Sequence, residues 1–234
     1  MTIWAILPAA GIGRRMGATI PKQYLQLNGL TVIEHSLKLL SSLPQLKKIT
    51  VVIHPDDEHW QKIESECFAS EIVTVVGGDE RGQSVLNGLL SIDAGPDDWV
   101  LVHDAVRPCT SLEDIQQLIK EVTESTDYCH GGILATPISS TVKRVNQANE
   151  IEGTVERERL WSALTPQLFP LKKLIQAMEI AIAQGLPITD EASAMEHFGY
   201  SVKIVPGSSH NIKITHQADL VLAELILKSQ ESRQ

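Results

Sequence analysis

The chain opens with a glycine-rich loop that carries several cations. The segment Leu7–Gly17 follows a short apolar run, and Lys22 lies five residues further on. Gly11 and Gly13 allow backbone N–H groups to approach an anion closely. Residues 1–33 contain no Asp or Glu, although the whole chain has a net charge of −9. Cations gathered locally around such a loop indicate a binding site for a polyphosphate.

Two standard phosphate motifs do not fit this loop. A dinucleotide-binding fingerprint needs a third glycine where the chain has Met16, and the Walker A motif needs a Gly-Lys-Ser/Thr ending that is absent. Met16 therefore disfavours an NAD-dependent dehydrogenase. The structural alternative is a solvated turn with Arg14 and Arg15 at the surface and Lys22 as an ordinary surface lysine. The clustering of cations with glycines favours anion binding.

Two further segments place polar residues after predicted strands. In His103–Pro108, Asp104 and Arg107 are expected at the same sheet edge as the first loop, where they suit a metal–phosphate or sugar–phosphate contact. A salt-bridged turn is the alternative for this segment. Gly77–Arg81 with Ser84 follows another strand. Its glycines and Asp79 either contact the edge of a nucleotide base or cap the next helix.

More cations lie at Lys143, Arg157 and Lys213, and their spacing alone does not select any of them as functional. The eight histidines form no HExxH pair, so a histidine-based metal site is not expected. No GxSxG segment occurs, and a serine hydrolase has no support.

These loops need a scaffold of alternating strands and helices. Buried strands are predicted at Ile3–Leu7, Ile49–Ile53, Ile72–Val76, Val100–Val102 and Ile133–Ala135, and amphipathic helices lie between them. Ser111 is a plausible N-cap for the helix that carries Ile115 to Val122. The alternation predicts an α/β fold: a three-layer, Rossmann-like, mostly parallel sheet with helices on both faces. In such sheets ligands bind beyond the carboxyl ends of the strands.

The alternation stops after Pro137. The polar stretch at about 138–158 predicts a protruding β-hairpin arm, which is marginal in water alone and should pack against something, such as a second subunit. Further elements are predicted after the arm. They are helices at Leu171–Ala183, from Thr189 as N-cap to Phe198 and at Ala218–Leu227, strands at Val202–Val205 and Ile212–Ile214, and a frayed tail from Ser229. We expect residues 1–234 to form one domain with the arm as an insertion.

Composition excludes several classes of protein. With 43% hydrophobic residues the chain is not intrinsically disordered, and its negative charge argues against a nucleic-acid or anionic-membrane surface. The three cysteines, Cys67, Cys109 and Cys129, are far apart and suit a reducing compartment. No signal peptide or membrane-spanning run is recognisable, so a cytoplasmic protein is expected.

The ordered motifs resemble a known family. The opening loop with Pro21-Lys-Gln23 looks like that of the sugar-nucleotide type nucleotidyltransferases. Further segments make the set similar to the 2-C-methyl-D-erythritol 4-phosphate cytidylyltransferase family; they are Gly77–Ser84, His103–Pro108, Thr165–Gln167, Thr189–Ser193 and Asn211–Lys213. The resemblance runs from residue 3 to about residue 226. It implies that CTP and 2-C-methyl-D-erythritol 4-phosphate give 4-diphosphocytidyl-2-C-methyl-D-erythritol and pyrophosphate.

The resemblance also implies a role for each matching residue. Arg15 and Lys22 would stabilise charge on the α-phosphate, and Arg157 and Lys213 would position the attacking phosphate. The residues implied at the nucleotide are Pro8, Ala9, Ala10, Gly11, Gly13, Gly78, Asp79, Ser84 and Asp104. Those implied at the acceptor substrate are Ala105, Arg107, Thr141, Arg157 and Lys213. A divalent cation, usually Mg²⁺, is implied as cofactor, with Asp104 as a candidate ligand.

In the family the arm interlocks with that of a second subunit, so Thr141 and Arg157 would serve the partner's site in a homodimer. Two positions depart from the family pattern: Val106 replaces an alanine, and Ser140 replaces an aspartate before the arm threonine. A ribitol 5-phosphate cytidylyltransferase and a non-catalytic nucleotide-binding module are the alternatives. The presence of all four catalytic cations argues against the binding module.

Overall fold

A seven-stranded sheet forms the centre of the molecule. The computed structural model describes residues 1–11, 20–124 and 129–232. The strands in this part of the chain are β1 (Ile3–Pro8), β2 (Gln26–Leu27), β3 (Leu30–Thr31), β4 (Leu46–Ile53), β5 (Glu71–Val76), β6 (Trp99–Val102), β7 (Gly132–Pro137), β8 (Val142–Val145), β9 (Ile151–Val155), β10 (Trp161–Pro170) and β11 (Lys203–Pro206). The central sheet has the order β11-β7-β10-β6-β1-β4-β5. Only β10 runs antiparallel to its neighbours, which confirms the mostly parallel α/β fold.

Helices cover the sheet. They are α1 (Val32–Ser41), α2 (Arg81–Leu90), α3 (Leu112–Thr123), α4 (Leu171–Ala183), α5 (Glu191–His197) and α6 (Gln217–Glu231). Local signals in the sequence determine several of their ends. The Ser111 hydroxyl accepts a hydrogen bond from the backbone N–H of Asp114 and begins α3, as predicted. Thr31 and Glu34 form a capping box at the start of α1.

The alternation of side chains along β1 divides the core between the two faces of the sheet. Ile3 and Leu7 pack in one apolar cluster with α1 and α3, and Trp4 and Ile6 pack in another with α2, α4 and α5. A third, smaller cluster joins α6 to the loop after β6 through Val106. Because both faces are covered, the loops at the carboxyl ends of the parallel strands are the part of the sheet left open to a ligand.

The β-hairpin arm is present as predicted. Strands β8 and β9 pair with each other in a separate antiparallel sheet. The side chain of Asn146 accepts hydrogen bonds from the backbone N–H groups of Ala148 and Glu150, and this stabilises the turn. Val145 and Ile151 are large apolar residues that remain exposed on the arm.

The structure differs from the sequence expectations at several places, and β10 is a strand that the sequence did not predict. Residues Ile212–Ile214 are not a strand, because this segment bonds to a loop: the N–H of Ile214 donates to the carbonyl of Val106. Helix α5 has Asp190 rather than Thr189 as its N-cap, and α6 continues through the tail to Glu231. Among the described residues, no helix combines the length and apolar character needed to cross a membrane.

Candidate active site

The loops after β1, β5 and β6 open onto one cleft of about 200 Å³ at the carboxyl edge of the sheet. Since these three strands are parallel, their loops meet there even though they are far apart in sequence. The cleft is lined by Pro8, Ala9, Ala10, Gly11, Lys22, Gln23, Gly78, Asp79, Glu80, Arg81, Ser84, Asp104, Ala105, Val106 and Lys213. This set includes every residue that the sequence assigned to the nucleotide except Gly13.

A buried glutamine supports the loop after β1. The side-chain amide of Gln23 donates to the carbonyls of Ala9 (2.6 Å) and Gly11 (3.1 Å). Lys22 precedes it in a short 3-10 turn, and its ammonium donates to the carbonyl of Ile214 at 2.9 Å. The lysine predicted to act on the α-phosphate is therefore on the cleft wall next to the segment that carries Lys213.

The loop after β5 is closely packed. The hydroxyl of Ser84 accepts a hydrogen bond of 3.1 Å from the N–H of Gly78. Asp79 is exposed and lines the cleft. A Cβ on Gly77 would lie 2.7 Å from both Ala10 Cβ and Ser84 Oγ, closer than real contacts allow. Only glycine lets the loops after β1 and β5 approach this closely.

Gly77→Ala is expected to weaken nucleotide binding. The added methyl forces the Ala10 and Ser84 sides of the cleft apart. A loss of about 1.4 kcal/mol in binding, within the range of overpacking costs, corresponds to a tenfold rise in KM for CTP, the nucleotide that the resemblance implies. Steady-state kinetics with varied CTP measures the change. Gly95→Ala is the matched control, since a Cβ there meets only ordinary contacts at 3.6 Å or more. An unchanged KM in Gly77→Ala would contradict the proposed contact.

A cluster of charges lies at the far wall of the cleft. The side chain of Asp104 is 8% exposed, and its oxygens lie 2.8 Å from Lys213 Nζ, 3.2 Å from Arg81 Nη2 and 3.4 Å from Arg107 Nε. Burial acts to raise the pKa of Asp104, but the charges of the three cations outweigh it and hold this pKa well below its usual value. The carboxylate is therefore ionised at neutral pH, and the three cations exceed its charge by two.

A second cavity adjoins the first at this cluster. Both cavities are lined by Arg81, Asp104 and Lys213. The other lining residues of the second cavity are Arg107, Ala163, Leu164, Thr165, Gln167, Thr189 and Asp190. Of the residues that the sequence assigned to the acceptor substrate, Arg107 and Lys213 line this second cavity, whereas Ala105 lines the first. Two polar molecules bound in the two cavities would meet at the shared cations.

A layer of buried hydrogen bonds supports the cluster from below. The Thr165 hydroxyl accepts from the N–H of Asp104 at 3.0 Å and lies 3.1 Å from His103 Nδ1. Burial lowers the pKa of His103 to about 4, so the ring is neutral at pH 7 and Nδ1 can accept the Thr165 proton. The side-chain amide of Asn211 donates to the backbone carbonyl of Thr165 at 2.8 Å, and the backbone carbonyl of Asn211 accepts from Arg107 Nη1.

The structure does not bring every predicted residue to the cleft. Gly13 and Arg15 lie outside the described residues. Thr141 and Arg157 are exposed on the arm and belong to neither cavity; the Arg157 guanidinium donates to the carbonyl of Ser139. Of the two departures from the family pattern, Val106 lines the first cavity and packs in the α6 cluster, and Ser140 is exposed on the arm.

Several residues at the site received no role from the sequence. Arg81 borders both cavities, and its guanidinium pairs with buried Glu191 as well as with Asp104. Gln167 donates to Asp190 and accepts from the N–H of Ala192. Each of these residues lies inside a segment that carried the family resemblance. The motifs therefore located the site in the sequence, but the pairing of its side chains is visible only in the folded structure.

The described residues contain no group of three or more His, Cys, Asp or Glu side chains that could hold a metal ion. Asp104 is the one predicted ligand, and it is ionised. A Mg²⁺ ion is commonly bound by one or two carboxylates together with substrate phosphates. Both Asp104 oxygens already pair with cations, so a metal ion here would share one of them and take most of its ligands from bound phosphates.

Comparison with known proteins gives one consistent result. Residues 3–229 match the family model described as IspD: 2-C-methyl-D-erythritol 4-phosphate cytidylyltransferase. A protein of that description from Shewanella halifaxensis is 49% identical, over 97% of this chain and 96% of its own length. One from Alteromonas mediterranea is also 49% identical, over 98% and 94%. The crystal structure of the Francisella tularensis protein (IspD) superposes with a TM-score of 0.83 and 38% identity, over 97% of this chain and all of that one.

Proposed function

The chain belongs to the 2-C-methyl-D-erythritol 4-phosphate cytidylyltransferase family, and we propose that it joins the cytidylyl group of CTP to 2-C-methyl-D-erythritol 4-phosphate. The products are 4-diphosphocytidyl-2-C-methyl-D-erythritol and pyrophosphate. As a member of this family the chain is an enzyme of the nucleotidyltransferase class. The arrangement of its site supports a direct transfer between two bound phosphorylated molecules.

The two adjoining cavities carry this proposal. They share Arg81, Asp104 and Lys213, so a nucleotide in the first and an alcohol phosphate in the second would have their phosphorus groups at the same charges. Two phosphates repel each other strongly, and a net positive junction reduces that repulsion.

The reaction proceeds by in-line displacement. A phosphate oxygen of the acceptor forms a bond to the α-phosphorus of CTP, and the bond from that phosphorus to the bridging oxygen of the β-phosphate breaks. Pyrophosphate leaves with the electron pair. The attacking phosphate is already a nucleophile at neutral pH, so no general base is required. Catalysis consists of placing the two anions and neutralising the developing charge.

Each predicted residue has a place in this scheme. Lys22 and Arg15 stabilise charge at the α-phosphate, and Lys213 and Arg157 orient the attacking phosphate. The nucleotide contacts Pro8, Ala9, Ala10, Gly11, Gly13, Gly78, Asp79, Ser84 and Asp104. The acceptor contacts Ala105, Arg107, Thr141, Arg157 and Lys213. The position of Lys22 and Lys213 on one cleft wall supports these roles.

A divalent cation, Mg²⁺ or another, belongs to the proposal as cofactor. Asp104 would offer it one carboxylate oxygen, and phosphate oxygens and water would supply the rest. The ion neutralises part of the triphosphate charge when it is bound. The residues of the chain provide the remaining positive charge through Lys22, Arg81 and Lys213.

A homodimer through the arm completes the proposed site. Thr141 and Arg157 are exposed and away from both cavities of their own chain, although the acceptor is proposed to contact both residues. An arm that crosses to a second copy would deliver them to the partner's cavities and cover exposed Val145 and Ile151. Residues 1–234 then act as one nucleotidyltransferase domain with an insertion at about 138–158.

We place the enzyme in the cytoplasm. All three cysteines are free, and Cys109 is buried. Free thiols persist in a reducing compartment.

The decisive assay measures pyrophosphate release from CTP with the purified chain. Release is expected with 2-C-methyl-D-erythritol 4-phosphate and Mg²⁺, and it should stop when EDTA removes the metal or when the acceptor is omitted. Ribitol 5-phosphate is the matched control acceptor. Faster turnover of ribitol 5-phosphate would replace the proposed acceptor, and CTP binding without release would show a binding module.

A further inference from the structure

A buried carboxylate next to the site has no part in the reaction as proposed. Glu191 is the first residue of α5 and is fully buried. Its two oxygens lie 2.6 Å from Arg81 Nη1 and 3.2 Å from Arg81 Nη2, so the pair is bidentate. Burying an ionised carboxylate costs several kcal/mol unless it is paired in this way. The ion pair with Arg81 therefore offsets the desolvation cost of a buried carboxylate at this position.

Arg81 connects this carboxylate to the site. Its Nη2 also donates to Asp104 Oδ1 at 3.2 Å, and its side chain borders both cavities. Burial acts to lower the pKa of Arg81, but the charges of Glu191 and Asp104 outweigh it and raise this pKa above its usual value. One guanidinium thus holds two carboxylates, one outside the site and one within it.

Helix α5 is held in position by several contacts besides the ion pair of Glu191. The Asp190 carboxylate caps the helix by accepting from the N–H of Ser193 at 3.0 Å. Gln167 of β10 donates to Asp190 and accepts from the N–H of Ala192 at 2.9 Å. Met195 packs into the apolar cluster on that face of the sheet. These contacts anchor the helix on both sides of Glu191, so its carboxylate is available to act on Arg81.

We propose that Glu191 is a positioning residue for the transfer reaction. It fixes the Arg81 guanidinium at the junction of the two cavities, and Arg81 in turn holds Asp104 in place beside Lys213. Without Glu191, Arg81 is free to turn into the cleft and pair with Asp104 through both nitrogens, which displaces Lys213 from the carboxylate. The inference rests on the proposed function, because it assigns Glu191 a task in that same site.

Glu191→Gln is the test variant, since it keeps the shape of the side chain and removes its charge. At a temperature where circular dichroism shows a folded protein, kcat should fall about tenfold, within the range for coupled neighbours of one ion-pair network. KM for CTP should change less than kcat. In an Arg81→Gln background the same substitution should have little further effect, because Glu191 acts through Arg81. Glu196→Gln, on the exposed side of the same helix, is the control and should keep full activity.

A second readout does not need turnover. The rate at which acetic anhydride modifies Lys213, followed by mass spectrometry, should rise severalfold in Glu191→Gln and stay unchanged in Glu196→Gln. An inactive wild-type chain would refute the proposed function, and the labelling would still decide the role of Glu191. The positioning role would be overturned if Glu191→Gln left the labelling rate or kcat unchanged, or if the variant did not fold. It would also be overturned if the substitution lowered kcat equally in the wild-type and Arg81→Gln backgrounds.

Discussion

Lys213→Met is expected to lower kcat by about 100- to 1,000-fold, the loss seen when one preorganised charged or hydrogen-bonding donor is removed from a reacting centre. The ammonium of Lys213 borders both cavities and lies 2.8 Å from Asp104. Methionine keeps an unbranched stem of similar length and removes the charge together with its N–H donors. Asp104 retains Arg81 and Arg107 as partners, so no buried charge is left without compensation and the fold should persist.

Steady-state kinetics at saturating CTP, together with a thermal melt, measures this effect. Lys203→Met is a matched control, because the Lys203 side chain is 36% exposed against 38% for Lys213 and also pairs with a carboxylate, that of Glu121. The control should retain wild-type kcat. A Lys213→Met variant that keeps more than about a tenth of kcat would remove this lysine from the charge-neutralising role.

Elements with a regular local pattern were predictable from the sequence. The run Ile3–Leu7 contains only buried side chains, and Ser111 followed by apolar residues at helical spacing marked the start of α3. The arm was predictable because a polar, β-branched stretch with an Asn-rich turn interrupts the α/β alternation. In each case the signal lies within about a dozen neighbouring residues, where hydrophobic periodicity and capping act.

Strand β10 was not predicted, and its composition explains why. It runs between β6 and β7, and its residues Leu164–Phe169 are buried on both faces. Thr165 and Gln167 are polar because their side chains bond to Asp104 and to the start of α5. A strand that supports a polar site therefore loses the apolar run by which buried strands are recognised.

The segment Ile212–Ile214 shows the opposite error. Its alternation is typical of a strand, yet its backbone bonds to the loop after β6 and its apolar side chains face the α6 cluster. The ion pair between Arg81 and Glu191 could not be predicted from the sequence either, because the two residues are 110 positions apart. Which charges meet across such a separation depends on the topology of the sheet, and the spacing of residues carries no information about it.

Mixing two inactive variants is expected to restore activity if the arm serves the partner's site. Arg157→Ala and Lys213→Met should each be strongly impaired alone. After random exchange of subunits, half of the dimers carry one copy of each variant. In such a dimer one site combines a native Lys213 with a native Arg157 from the other chain, so about a quarter of all sites regain activity. The specific activity of the mixture against its separate components is the measurement.

A control mixture tests the geometry itself. Lys22 and Lys213 line the same cleft of one chain, so every site formed by mixing Lys22→Met with Lys213→Met lacks one of the two lysines. This mixture should show no recovery, because exchange of arms cannot supply either residue. No recovery in the Arg157 mixture despite demonstrated subunit exchange would show that each chain builds its site alone. Recovery in the control would show that Lys22 and Lys213 do not serve the same site. Exposed Thr141 and Arg157 would then need a different explanation from delivery across the dimer.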